Sequence, residues 1–137
     1  MVNVTNAPAQ SSPPASSTLP DTLLGVQTST TQYNYASPSG TVNNVVSGIP
    51  SFVGNARLTV TLAAGSATWT GLSAGSDNQH ITLWNSDAAN TLTLAVKNSG
   101  SLAQNQFNGT SVGYLLSPGF TIGLIYYAGS VKAWVVR

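Results

Sequence analysis

One histidine, three aspartates and no cysteine are all that this chain of 137 residues offers for acid, base or metal chemistry. Asp77 and His80 lie close in sequence and serines abound, so a Ser-His-Asp set can be drawn on paper. No Gly-x-Ser-x-Gly elbow accompanies it, and in a serine-rich chain the coincidence carries little weight. Glycoside cleavage needs two carboxylates flanking one bond. Asp21, Asp77 and Asp87 instead stand in turn-like or loop contexts, where Asp bonds nearby backbone. Zinc needs several His or Cys ligands, and the oxygens of Asp77, Asn78 and Asp87 do not follow a calcium-loop spacing. Gly65, Gly71 and Gly75 lack the lysine and following helix of a phosphate loop. The expectation is a chain that is not an enzyme and carries no cofactor.

The aromatic residues pose a different question. Trp69, Trp84 and Trp134, with Tyr126 and Tyr127, could form a sugar-stacking platform. Large flat side chains more often pack a core or a subunit interface. Trp84, Tyr127 and Trp134 are therefore expected in the core or at an oligomer interface.

Charge narrows the partners. Arg57, Lys97, Lys132 and Arg137 are the only basic residues, and charged residues make up 5% of the chain, against about a quarter in ordinary domains. Phosphate neutralisation needs clustered Lys and Arg, so no nucleic-acid partner is expected. No apolar run approaches the length of a membrane span, so no membrane insertion is expected. The first residues lack the basic and apolar regions of a secretory signal. A surface this close to neutral favours association with other protein.

The elements that must position these side chains read as short strands. Phe120 to Tyr127 and Val131 to Val136 alternate with period two around Ala128-Gly129-Ser130, a hairpin with Gly129 free to take positive φ. Phe120, Ile122, Leu124 and Tyr126 share one face, and large apolar groups on both faces leave a surplus for something else to cover. Leu58, Val60 and Leu62 should face inward, as should Ile81 and Leu83, with His80, Thr82 and Trp84 opposite. Leu92 and Leu94 alternate in the same way, Phe107 reads as a core plug, and Ser117-Pro118-Gly119 fits a type II turn. No helical stripe and no internal repeat is apparent. About seven to nine short strands predict an all-β fold, an antiparallel β-sandwich or jelly roll over residues 41–137.

Residues 1–40 differ. Prolines 8, 13, 14 and 20 among serines forbid a helix, which predicts an extended N-terminal arm. Its apolar anchors would be Leu19, Leu23, Leu24 and Val26, then Tyr33 and Tyr35 at strand spacing.

His80-Ile-Thr-Leu-Trp-Asn85, Leu92-Thr-Leu94, Phe107, Leu116-Ser-Pro-Gly119, Leu124-Ile-Tyr-Tyr127 and Trp134-Val-Val136 together resemble small β-sandwich modules of tailed-bacteriophage virions. Such modules occur in capsid decoration (cement) proteins, head fibres and tail-fibre tips, usually as trimers. Ala128 stands where that pattern often has an acidic residue. The resemblance implies a virion structural protein, made in the host cytoplasm. On the decoration reading it is a homotrimer on the capsid surface that grips the major capsid protein through its arm. The alternative is a fibre-tip adhesin recognising a host glycan or protein. A carbohydrate-binding module is a third reading.

Overall fold

The computed structural model describes residues 30–50 and 52–137. They form ten strands: β1 (Thr31–Ala36), β2 (Gly40–Val42), β3 (Asn55–Thr61), β4 (Ala67–Trp69), β5 (His80–Asn85), β6 (Leu92–Ala95), β7 (Phe107–Asn108), β8 (Gly113–Leu116), β9 (Thr121–Tyr127) and β10 (Ala133–Val136). The all-β class is as expected. The antiparallel arrangement is not.

Among these strands, consecutive ones almost never pair. One sheet runs β1-β3-β5-β9-β10-β7 and the other β2-β4-β6-β8, so only β9 and β10 are neighbours in both chain and sheet. The chain lays one strand in each sheet, returns, and lays the next pair alongside in the same direction. β1, β3 and β5 are parallel, as are β2, β4 and β6. This gives three successive coils of a solenoid-like stack. Tyr33 pairs with Leu58 and Leu58 with Leu83, each step 25 positions along the chain. Period-two alternation reports only that a strand has a wet and a dry face, which is equally true of a hairpin and a coil. That is why a sandwich and a coil look alike from alternation alone.

The stack ends by reversing direction. β9 lies antiparallel on β5, and β8 antiparallel on β6, so both sheets change sense beyond the third coil. β10 adds to β9 as the expected hairpin, with Ala133 opposite Tyr127, and β7 joins β10 in parallel. In the hairpin loop the left-handed residue is Lys132 (φ 41°), not the expected Gly129.

Inward side chains stack coil upon coil. Leu58, Val60, Leu62, Ile81, Leu83, Leu92, Leu94 and Phe107 are buried as expected, and Trp69 and Trp134 are the largest groups inside. The Trp69 indole N–H donates to Ser37 Oγ at 2.9 Å, and the Tyr35 ring meets Trp69 edge-on at 5.5 Å. Where a polar group enters the core it is satisfied. Asn85 is buried and its amide donates to the carbonyls of Asn90 and Leu116, both at 2.9 Å, while its own oxygen accepts from the Asp87 N–H. Gly71 is needed for space: a Cβ there would sit 2.5 Å from the Asn105 carbonyl oxygen.

Two boundaries move. β1 is hydrogen-bonded to β3, so residues 31–36, expected in the arm, belong to the six-stranded sheet. Phe120, expected to open the strand on one face with Ile122, Leu124 and Tyr126, is exposed because it closes the Ser117–Phe120 turn rather than opening β9. That turn itself has the expected form, with Gly119 at φ 82° and the Phe120 N–H on the Ser117 carbonyl.

Candidate functional site

Three corners of the stack gather polar side chains. At the first, the Asp87 carboxylate accepts from the N–H groups of Ala89 and Asn90 at 2.9 and 2.8 Å, and from Leu62 in the preceding coil at 3.1 Å. Those donors favour the ionised form and hold Asp87 below the usual 3.8. At the second, Thr70 Oγ1 lies 2.7 Å from Ser101 Oγ and 2.6 Å from Asn43 Oδ1, while Asn44 receives the Asn105 amide at 2.8 Å. At the third, the buried Gln79 amide donates to the Pro50 and Val53 carbonyls. In each corner the partners are largely backbone or neighbouring polar groups, so these clusters stitch coils together.

The residues of the paper triad do not assemble. Asp77 accepts from the Ala128 N–H at 2.9 Å, tying the loop before β5 to the hairpin. His80 is exposed on the opposite side of β5 from Ile81 and Leu83. Among the described residues, no group of three or more His, Cys, Asp or Glu is placed to hold a metal ion.

The outer face of the six-stranded sheet has more distinctive chemistry. Strand register places Arg57 of β3 beside Thr82 of β5, and Thr82 beside Gly123 of β9. Beyond Gly123, the Arg137 N–H donates to its carbonyl at 2.9 Å. One step along the strands, Thr59, Trp84 and Thr121 form the next row, and His80, Ile125 and Val135 the row on the other side. The Arg57 guanidinium lies over the Trp84 ring at 4.5 Å from its centroid. Arg137 lies 5.9 Å from the Tyr127 ring and donates to the Tyr127 hydroxyl. The apolar surplus expected on this face is thus partly covered from within, by the chain's own two arginines.

The expected site residues fall in three places. Trp134 is core: it is buried, its N–H donates to the Leu72 and Ser73 carbonyls at 3.1 Å, and Tyr126 packs edge-on at 5.1 Å. Trp84 and Tyr127 are half-buried on the outer face, each beside an arginine. Tyr33 and Tyr35 are not arm anchors but half-buried members of β1, packed on the core. Leu19, Leu23, Leu24 and Val26 lie outside the described residues. The arginine partnerships escaped sequence reasoning. Their only signal is that Arg57 and Trp84 sit one coil apart plus one alternation, which has meaning only once β3 and β5 are known to be parallel.

Comparison with protein-family models, curated proteins and solved structures found no match to this chain.

Proposed function

We propose that this chain is a virion structural protein without catalytic activity, a decoration protein on the outer surface of a bacteriophage head. In this reading it is a homotrimer that stabilises the shell, and residues 1–30 hold the major capsid protein. One observation carries the reading most. The first coil ends in two strand edges, β1 and β2, that among the described residues have a neighbour on one side only, contain no charged residue, and follow the assigned grip. Unblunted edges of this kind accept a further strand, and a solenoid end must be covered by something. Many copies on one particle would multiply a modest hold through avidity.

The test is a deletion of residues 1–30, a cut that spares β1. The truncated protein should keep its trimer mass in sedimentation and its melting temperature, and should no longer bind purified empty heads. Retained head binding would overturn the arm mechanism, and a mass of one subunit at micromolar concentration would overturn the trimer. A second reading, a fibre-tip adhesin, is favoured by the arginine–aromatic face, since such proteins work through an exposed surface rather than an edge. Tight binding of the full-length protein to host cells, competed by sugar, would move the assignment there.

A further inference from the structure

Among the described residues, neither arginine of the outer sheet face has an aspartate partner. Arg57 is half-buried, its Nε is shielded from water, and that atom has no hydrogen-bond partner among the described residues. A guanidinium nitrogen in that condition normally has a partner. The nearby aspartates are engaged elsewhere, Asp77 by Ala128 and Asp87 by Leu62, Ala89 and Asn90. The Arg57 guanidinium rests over the Trp84 ring, 4.5 Å from its centroid, so its position is restricted before any ligand arrives. Between Arg57 and Arg137 the row contains only the exposed Thr82 and the side-chain-free Gly123. At Gly123 an added Cβ would meet Arg137 only at 3.8 Å, so the floor there is open. Three strand spacings separate the two arginine backbones, roughly 14 Å.

We infer that this face is a binding site for a carboxylate-bearing glycan, with Arg57 and Arg137 receiving carboxylates and Thr82 lying beneath the chain of sugars. Arginine forks match carboxylates in a planar, two-point fashion. The half-buried Trp84 and Tyr127 rings add apolar surface beside the Arg57 and Arg137 guanidinium groups for sugar C–H faces. A nucleic acid fits less well, because two cations this far apart neutralise too few phosphates. A second copy of the chain fits less well too, since among its described residues the aspartates, Asp77 and Asp87, are occupied. Head binding is assigned to residues 1–30 and glycan binding to this face, so each is tested by its own variants and either can fail alone.

The experiment titrates the full chain with trigalacturonate and with 3′-sialyllactose, each beside its neutral counterpart, methyl-esterified trigalacturonate and lactose, using protein-observed NMR. At least one acidic sugar should bind, about tenfold or more tighter than its neutral form, and weaken as salt rises. Arg57→Gln and Arg137→Gln should each lose about tenfold, and Arg57→Lys should not rescue, since it keeps charge without the fork. Thr82→Asp, at an exposed strand position, should block binding by supplying a carboxylate from within, with an unchanged melting temperature. Equal binding of neutral and acidic sugars, no binding of either acid at millimolar concentration, or tighter binding of a single-stranded DNA oligonucleotide would each overturn the inference.

Discussion

The two ends of the coil stack are finished in opposite ways. At the far end β8 and β9 reverse direction over the third coil, and β10 and the two-residue β7 leave only short edges. Buried Trp134 and the satisfied amide of Asn85 lock that end in place. At the near end β1 and β2 keep the sense of the coils behind them, and Tyr33 and Tyr35 of β1 are only half-buried. At the far end the six-stranded sheet finishes on the two-residue β7, which offers little backbone to a further strand, whereas the described edge at β1 is six residues long. The asymmetry therefore marks one end as structural closure and the other as the place where the body can be extended.

Substitutions sharpen that contrast. Trp134→Ala should have the largest effect, about 3–5 kcal/mol in denaturant unfolding, because it empties the closed end and strands two carbonyls. A loss below about half a kcal/mol would show that the hairpin does not anchor the fold. Asn85→Ala removes both amide bonds to Asn90 and Leu116 and should cost about 2–4 kcal/mol, read the same way. Tyr35→Ala at the open end should cost less, about 1–2 kcal/mol, since the ring is half-buried and loses mainly its edge contact with Trp69. If it matched Trp134→Ala, the near end would be as locked as the far one. Smallest is the pH response of the corner. Asp87 has its folded-state value depressed, so its contribution is present above about pH 3.8 and is lost as pH falls through the lower folded value. Acid unfolding of Asp87→Asn should accordingly show a shallower pH dependence below pH 4 than the parent protein, with the two curves parallel above it.

What could be read in advance was whatever lies close together in the chain. The hairpin, the Ser117–Phe120 turn and the inward faces of β3, β5 and β6 all depend on neighbours within a few residues. The coils do not. Equivalent positions hold Tyr33, Leu58 and Leu83, or Tyr35, Val60 and Asn85, so the repeat is one of place and not of identity. Its corners are solved differently each time, by Ser37 bonding an indole, by Leu62 in the core, and by the Asp87 carboxylate. The faint trace is Ala63-Ala64 against Ala88-Ala89 and Thr68 against Thr93, too little to reveal a period unaided. Tyr33 and Tyr35 show the same limit. Their strand spacing is visible in the sequence, but their partner in β3 is not, so pattern alone places them in the arm. The glycan face was hidden for that reason as well, because parallel pairing is what brings Arg57 to Trp84.

The step of 25 positions between paired strands also sets an order of events during synthesis. Within the ladder, β9 and β10 alone can find each other locally; every other strand pairing must close a long stretch of chain first. Yet residues 121–136 leave the ribosome after the three coils they close. A chain emerging in order therefore completes both sheets only after β9 and β10 have left the ribosome.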